Sequence, residues 1–250
     1  MEKSGLLFLF TLAVAVCTSA AQAQQNIDNT EGVRQLHIEA TRADIEVTSG
    51  PNAQLSWQAT ARPSSAEVPG NLMPLAMPAA PVNPVRIDET LFIRLDDQNH
   101  HYTLAVQVPA DWDINIYVRE QGSIRTEQRQ AAVSAWSARG DVDLREQQAD
   151  FSVTAMDGTA QVDVVQLPAG STSAITAWNG DALLYLADDL PLELRIVEAS
   201  SVLSDLPAVQ RAPVSVNNNE RVITLGSGDR VITVRSIQSS LHLLQRGSQP

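Results

Sequence analysis

Apolar and polar residues alternate along most of the chain, and the alternation restarts after each short polar turn. Between Arg139 and Arg145, for example, Val142 and Leu144 would point to one side of a strand and Asp143 to the other. A repeat of two residues is typical of a strand with one buried and one solvated face. The same pattern restarts near residues 43, 122, 158, 180 and 239. The sequence therefore predicts an all-β protein, and the lack of helical periodicity excludes a fold that alternates strands with helices.

Four glycines divide the central part of the chain into similar units. Gly122, Gly140, Gly158 and Gly180 are separated by 18, 18 and 22 residues, and an alternating segment precedes and follows each of them. Glycine suits a tight turn because it adopts positive φ angles without a clash at Cβ. We therefore predict that these four glycines are structural turns, and that each unit consists of a strand, a turn and a second strand.

Two architectures fit such units. Hairpins closed by Asp-Gly and Asn-Gly turns would build a β-sandwich, whereas one unit per coil would build a solenoid with strand stacked over strand. The nearly constant spacing favours the solenoid, and so do the small inward residues, because a narrow coil has no room for bulky rings. The sequence thus favours a single-stranded parallel β-helix or β-roll, with a β-sandwich as the alternative.

The first residues are typical of a secretory signal peptide. Lys3 supplies a positive charge, and the apolar run from Leu6 to Val16 is too short to cross a bilayer comfortably. Ala21-Gln22-Ala23 fits the small-x-small rule for signal peptidase, so the exported protein would start at residue 24. Cys17 offers an alternative, a lipid-modified N-terminus that anchors the protein to a membrane, although Val16 stands where lipoprotein processing prefers a small residue.

Proline content separates one internal segment from the strands. Six of the 13 prolines fall between residues 62 and 84, and proline lacks the amide hydrogen that a sheet interior needs. We predict the following organisation: a signal peptide at 1–23, a flexible tail at 24–32, one β-solenoid domain at 33–245 with a proline-rich excursion at 62–84, and a C-terminal tail at 246–250.

Composition restricts the partners. The chain has 29 acidic and 17 basic residues, a formal net charge of -12, and Lys3 is its single lysine. An acidic chain repels phosphate backbones, so nucleic acid and anionic membrane surfaces are poor partners. The single cysteine, Cys17, lies in the predicted signal peptide. The exported domain would then contain no disulfide and would depend on burial and backbone hydrogen bonds.

Several segments combine alternation with a particular turn: Arg42–Val47, Val106–Pro109, Gly122–Ile124, Arg139–Leu144, Leu225–Gly228 and Val231–Val234. In these segments the chain resembles the bacterial putative-adhesin β-strand-repeat family, over about residues 33–245. The resemblance rests on turn and strand patterns rather than on a catalytic signature. It implies a right-handed, single-stranded β-helix or β-roll at the cell envelope, with no established activity. The chain departs from the family pattern near Ser200-Ser201, where the glycine is missing, and in its long proline-rich excursion.

Motifs for catalysis and metal binding are weak. Asp111–Asn115 has the initial spacing of a calcium loop, but Ile116 and Gly122 stand where glycine and glutamate belong. His100 and His101 are adjacent in an extended segment, where neighbouring side chains point apart, so the two histidines are poorly placed to bind one metal ion together. No Gly-x-Ser-x-Gly, His-Glu-x-x-His or phosphate-binding glycine loop occurs. We therefore predict a non-catalytic protein without a metal or a cofactor.

The enzymatic alternative is a β-helical polysaccharide hydrolase or lyase. Asp141, Asp143, Asp163 and Asp181 could project outward on successive units. Two carboxyl groups held roughly 5 to 9.5 Å apart can cleave a glycosidic bond. Outward acids interleaved with arginines are more typical of a solvated surface.

Tryptophans indicate a second way of binding. Trp112, Trp136 and Trp178 lie in or shortly before turns. Indoles at such positions commonly pack over the edges of coils or over loops, whereas exposed indoles can stack on sugar rings. Trp136 and Trp178 are the candidates for glycan stacking. The sequence thus predicts an exported, adhesin-like protein, periplasmic or attached to the cell envelope. Its extended β surface would bind an envelope protein or a cell-wall or surface glycan, and the open sheet edges at the solenoid ends would allow copies to associate.

Overall fold

Burial alternates along the strands as the sequence pattern predicts. The computed structural model describes the backbone of residues 21–27 and, beyond it, residues 30–50, 55–64, 78–217 and 220–247. In the segment after Gly140, Val142 and Leu144 are fully buried, whereas Asp141 is exposed. The prediction of an all-β protein is confirmed, because the strands of the described residues form one mixed sheet of 18 strands.

The strands are β1 (Ala21–Ile27), β2 (Gln35–Ser49), β3 (Leu55–Pro63), β4 (Val85–Ile87), β5 (Thr90–Leu95), β6 (His100–Val108), β7 (Asp113–Gln121), β8 (Ile124–Glu127), β9 (Val133–Arg139), β10 (Val142–Gln147), β11 (Phe151–Asp157), β12 (Ala160–Val164), β13 (Thr172–Ala177), β14 (Ala182–Leu186), β15 (Leu192–Ser204), β16 (Val214–Asn217), β17 (Glu220–Leu225) and β18 (Val231–Gln245). A short helix, α1 (Pro207–Arg211), precedes β16. Within the described ranges, no helix has the length and hydropathy that a membrane crossing requires.

Parallel pairing between units builds most of the sheet. What we call the first ladder contains the N-terminal half of β2, then β7, β9, β11, β13 and the N-terminal halves of β18 and β15. The second ladder contains the C-terminal half of β2, then β8, β10, β12, β14 and the C-terminal halves of β18 and β15. The two strands that flank a turn glycine therefore belong to different ladders. The coils of a solenoid would give this pairing, and so would two packed sheets in which the chain crosses from one sheet to the other at each glycine.

Antiparallel strands extend both ends of the first ladder. At one end β5 pairs in parallel with β2, and β4 pairs antiparallel with β5. At the other end β17 pairs antiparallel with β15, and β16 with β17. Strand β6 extends the second ladder, since it pairs in parallel with the C-terminal half of β2. It also pairs antiparallel with β3, and β3 pairs antiparallel with β1. In the first ladder, therefore, β4 and β16 are the edge strands of the described residues.

Inward side chains from successive units form columns. Ile124, Val142, Ala160, Ala182 and Leu241 lie side by side on neighbouring strands of the second ladder, and each is at most 1% exposed. Full burial of a Val, Ile or Leu side chain contributes about 1.5–3 kcal/mol. Because the sequence contains a single cysteine, it has no internal disulfide, and these columns are a main source of stability.

The turn glycines lie against one another, and the short distance between their backbones leaves no room for a side chain. A Cβ on Gly140 would lie 2.3 Å from the carbonyl oxygen of Gly122, and a Cβ on Gly180 would lie 2.1 Å from that of Gly158. Real Cβ atoms do not approach a backbone so closely, so these corners accept only glycine. Where the glycine is missing near Ser200-Ser201, β15 continues without a turn, with a register shift between Ala199 and Ser201.

Two polar side chains turn inward and are completely buried at the opposite end of the strands. Gln128 and Glu146, 18 residues apart, both adopt positive φ angles, of 57° and 54°, and at each of them the alternation of inward and outward side chains shifts by one residue. The next side chains are therefore buried. Arg129 donates hydrogen bonds to the carbonyl oxygens of Pro109 and Trp112, at 2.9 and 2.6 Å.

The second buried side chain has the same role one unit later. Gln147 donates to the carbonyl oxygens of Ala131 and Ala149, at 3.2 and 3.0 Å. Burial lowers the pKa of Arg129 to about 10, although Asp111 and Asp113 favour its charged form. Both side chains stabilise the turns that link the ladders, because they supply donors for carbonyl groups there.

The predicted domain boundaries fall mostly at the margins of the described ranges. Residues 1–20, most of the predicted signal peptide, lie outside them, and so do residues 65–77 of the proline-rich excursion. The backbone of β1 covers the last three residues of the predicted signal peptide and the start of the predicted tail. The signal peptide, the two tails and the excursion therefore stay predictions.

Replacing one turn glycine tests the importance of the close backbone approach. Gly180→Ala should destabilise the protein by about 3 kcal/mol, because the new Cβ would clash with the Gly158 carbonyl group. Gly170→Ala is the control. Gly170 has a φ of 77°, but a Cβ added there would meet no atom within 4 Å, so only about 1 kcal/mol of backbone strain is expected. Urea denaturation measures both. Equal losses would show that steric contact at Gly180 is unimportant.

Candidate binding surface

Outward side chains on the second ladder line an open groove of about 540 Å³, called the charged groove below. Glu46, Arg125, Asp143 and Gln161 lie directly beside one another on β2, β8, β10 and β12. Neighbouring strands are about 4.8 Å apart, so the groove presents one side chain at each such interval. The parallel register thus places residues from distant positions in the chain in one row.

Asp143 is the centre of the charges in the groove. Its Oδ2 lies 2.9 Å from Arg145 Nε and 3.4 Å from Arg125 Nε. Its Oδ1 is buried and has no hydrogen-bond partner among the described residues. Both guanidinium groups remain partly exposed, so the groove offers two donors that a partner can reach.

A second row of aspartates connects the strands near the turn glycines. Asp44 Oδ1 accepts a hydrogen bond from the Ser123 amide at 3.0 Å, and Asp141 Oδ1 accepts one from the Thr159 amide at 2.8 Å. Asp181 Oδ1 likewise accepts from the Ser240 amide at 3.0 Å. Each of these carboxylates therefore bridges to the next strand of its ladder.

These contacts account for the four acids of the enzymatic alternative. Asp141 and Asp181 bind backbone amides, Asp143 binds two arginines, and Asp163 is buried with its Oδ1 2.9 Å from Arg246 Nε. The sequence identified these four aspartates as candidates but not their hydrogen-bond and ion-pair partners, because the partners lie on strands whose pairing the sequence does not give. Each carboxylate has a structural role in this arrangement.

A second groove, of about 740 Å³, adjoins the charged groove where the glycines stack. Arg42, Arg62, Arg139 and His101 line it, together with the backbone of Gly122 and Gly140. Arg42 pairs with Glu120 at 2.8 Å and Arg62 with Asp44 at 3.4 Å. The stacked glycine backbones form the floor of this groove, and the charged side chains form its walls.

Three aromatic side chains lie on the outward surface of the first ladder. We call the surface formed by Tyr117, Trp136 and Trp178 the aromatic step. Tyr117 and Trp136 lie opposite each other on β7 and β9, and their rings stack with centroids 4.2 Å apart and planes 17° apart. Tyr117 is 38% exposed and Trp178 is 41% exposed. Trp136 is half-buried.

The register places polar side chains beside this pair. One face of Trp136 covers Tyr117. Thr154 on β11 lies next to Trp136, and Thr176 on β13 lies next to Thr154. Trp178 follows directly after β13, two residues beyond Thr176. The structure thus brings both candidate tryptophans to one surface, and Tyr117 is a third aromatic residue that sequence reasoning missed. Trp112 is buried instead.

The polar loop at residues 96–101, which contains two histidines, contacts the end of the proline-rich excursion. His100 is buried and its Nδ1 lies 2.8 Å from Asp97 Oδ2, whereas His101 Nε2 lies 2.9 Å from Asp44 Oδ2. The two rings therefore contact different carboxylates. In the ranges that the structure describes, no group of three or more His, Cys, Asp or Glu side chains is arranged to hold a metal ion.

Asp97 is the residue that joins this loop to the end of the excursion. Its carboxylate accepts hydrogen bonds from the amides of Asn99 at 2.8 Å and Ala80 at 3.4 Å, and the Tyr102 hydroxyl donates to the Ala80 carbonyl oxygen at 3.2 Å. Burial alone would raise the pKa of Asp97. The hydrogen bonds from Asn99, His100 and Ala80 outweigh burial and hold this pKa below its ordinary value of 3.8.

Comparisons with known proteins give similarity in structure alone. No protein-family model matches the sequence, and no curated protein matches it. The chain is similar to a putative cell adhesion protein from Clostridium sporogenes, at 9% identity and a TM-score of 0.48, over 91% of this chain and 100% of that one. It is also similar to a putative adhesin from Bacteroides fragilis, at 13% identity and a TM-score of 0.43, over 91% of this chain and 97% of that one.

Acidification should remove the contribution of Asp97 to stability. A carboxylate with a lowered pKa stabilises the fold above its ordinary pKa of 3.8, and this stabilisation is lost as the pH falls through the lowered value. Asp97→Asn should therefore lower Tm at pH 7, and this effect should become progressively smaller as the pH falls below 3.8. The exposed Asp189→Asn is the control, with little effect at any pH. A Tm difference for Asp97→Asn that is independent of pH would contradict this role.

Proposed function

We propose that this protein is a non-catalytic, exported cell-envelope protein whose extended β surface binds a partner, in the manner of an adhesin or scaffold. The observation that carries the proposal is the row formed by Glu46, Arg125, Asp143 and Gln161, which lie on four neighbouring strands but come from distant parts of the sequence. The first three of these side chains carry charges of alternating sign, one strand spacing apart, and the fourth is a neutral amide. An extended partner, either a protein segment or a glycan polymer, also carries its groups at regular intervals and can therefore contact several members of this row.

We further propose that the two ladders are two faces of one right-handed parallel solenoid. Turn glycines at intervals of 18, 18 and 22 residues support this architecture, since one unit would then form one coil. The pairing supports it as well, because each strand next to a turn glycine pairs with strands of the preceding and following units. A hairpin sandwich would instead pair the two strands within a unit.

The contacts of the outward acids support a non-catalytic role. Glycosidic cleavage by a carboxyl pair needs one group as a proton donor and the other as a nucleophile or base. Here Asp141 bridges to the Thr159 amide and Asp143 is held between two arginines. Both carboxylates therefore already have partners within the fold.

Export is proposed from the sequence. The N-terminal segment has the charge, apolar run and small residues of a secretory signal. A periplasmic or envelope-attached location fits a domain without cysteine and with a net charge of -12. Lipid attachment at Cys17 is the alternative anchor, and labelling with a radioactive fatty acid distinguishes the two forms.

Removal of the two groove arginines should weaken partner binding. Arg125→Ala combined with Arg145→Ala should reduce capture of proteins and cell-wall sacculi from the native envelope by about tenfold at low salt, because Asp143 loses its counter-charges and the partner loses two donors. High salt should weaken capture by the unmodified protein in the same way. Quantitative mass spectrometry and sedimentation with sacculi measure the two partner classes.

A matched control changes the same charge on the other ladder. Arg195 and Arg235 are exposed on the first ladder, so replacing both with alanine should leave capture unchanged. Equal losses in both double variants would refute a specific role for the charged groove. Hydrolysis of sacculi by the purified protein, abolished by Asp141→Asn or Asp143→Asn, would refute the non-catalytic proposal.

A second candidate function is glycan binding at the aromatic step. The register places Thr154 beside Trp136 and Thr176 beside Thr154, and the exposed Trp178 is two residues beyond Thr176. A sugar ring bound here could contact aromatic surface and hydroxyl groups together. Stacking on aromatic rings depends little on ionic strength. This candidate therefore differs from the first in its response to salt.

Alanine substitution at the aromatic step separates the two candidates. If the step binds glycan, Trp136→Ala and Trp178→Ala should each reduce sedimentation with sacculi by about tenfold at both low and high salt. Leu203→Ala, which removes an exposed apolar side chain from the second ladder, is the control. Retention of full binding by both tryptophan variants would exclude this candidate.

A further inference from the structure

The exposed apolar side chains concentrate on the edge strands of the first ladder. Val214 and Val216 on β16 are 55% and 71% exposed, and Val85 and Ile87 on β4 are 55% and 53% exposed. Edge strands with free backbone groups pair readily with other strands. Four exposed apolar residues on such strands therefore need either protection or a partner.

The two edges differ in the residue at their centre. In β4, Arg86 stands between Val85 and Ile87. Two copies paired antiparallel through β4 would place Arg86 opposite itself, and like charges in that position destabilise a sheet. In β16 the central residue is Ser215, which carries no charge. The β4 edge is thus protected against self-association, and the β16 edge is not.

The sequence of β16 is also symmetric about Ser215. In an antiparallel pair of two β16 strands centred on this residue, Val214 of one copy lies opposite Val216 of the other, and serine lies opposite serine. Pro213 precedes the strand and lacks an amide hydrogen, so the ladder would end there. Every apolar residue then meets an apolar residue at one register.

The adjacent strand β17 extends this match. Val214 pairs with Ile223 and Val216 with Arg221, so these side chains share one face of the sheet. Across the joint, each row would read Arg221, Val216, Val214 of the second copy and Ile223 of the second copy. The two Arg221 side chains would stand at opposite ends of adjacent rows, about three strand spacings or 14 Å apart. Charge therefore does not oppose the contact.

We infer that two copies of this chain associate through β16, with a two-fold axis at Ser215 that joins their first ladders into one continuous sheet. Two-fold dimers are the commonest symmetric assemblies, and a self-complementary strand satisfies their requirement that one patch binds itself. The dimer does not depend on which surface binds the partner. It would, however, present two charged grooves and two aromatic steps on one assembly, which favours binding to repetitive polymers.

The mass of the purified full chain in solution tests this inference. Light scattering coupled to gel filtration should give twice the monomer mass for the unmodified protein. Val216→Lys should weaken the dimer more than tenfold, because a lysine would lie next to Val214 of the other copy. Ile87→Lys at the β4 edge, where the side chain is 53% exposed, should leave the dimer intact. A monomer at every concentration, or equal effects of the two lysine variants, would overturn the inference.

Charge complementation at the two-fold axis gives a second and more specific readout. Ser215→Arg and Ser215→Glu should each be monomeric, since each places like charges opposite one another. A mixture of the two variants should restore the dimer, because arginine then faces glutamate across the axis. Failure of the mixture to associate would overturn the proposed register, and circular dichroism confirms that each variant is folded.

Discussion

The close approach of one backbone to the next at the turn glycines is the constraint on which the rest of the structure depends. A Cβ at Gly122 would lie 1.7 Å from the Ala43 carbonyl oxygen, and the same contact recurs at Gly140, Gly158 and Gly180. Since each corner touches the one before it, the strands on both sides are held in one register. The bridges from Asp44, Asp141 and Asp181 to amides of the next strand lie directly beside these corners. Inward columns and outward rows are both consequences of this alignment.

The sequence was sufficient to predict an all-β protein and the strands around the four turn glycines, but not the edge strands β1, β4 and β16. Alternation at Val142 and Leu144 identified the buried face correctly, and the four glycines marked the corners. The partners of each strand could not be derived, because alternation is the same in a hairpin and in a parallel ladder. For the same reason the stacking of Tyr117 on Trp136 was not foreseen, although the two residues are 19 positions apart and both outward. The buried Arg129 was also missed, since a charged residue after a strand usually indicates a solvated turn.

The two outward surfaces have different chemistry although one backbone arrangement supports both. The second ladder exposes arginines and carboxylates in a groove, whereas the first exposes an aromatic pair beside threonines. The ends differ as well, with a protective arginine on β4 and a neutral, symmetric strand on β16. Function on this fold therefore depends on which side chains occupy outward positions, while the inward columns and glycine corners determine only the shape.

The parallel stacking of units, one strand spacing apart, is tested most directly by distances between spin labels. Residues 115, 134, 152, 174, 233 and 195 follow one another in register across the first ladder. With one label at Arg195 and the second at Ser152, Ser134 or Asn115, in a Cys17→Ser background diluted with unlabelled protein, the distance should rise from about 14 to 19 to 24 Å. Equal increments of one strand spacing for each unit are the result expected for stacked parallel units. Distances that do not increase step by step, as in a sandwich built from hairpins, would contradict it.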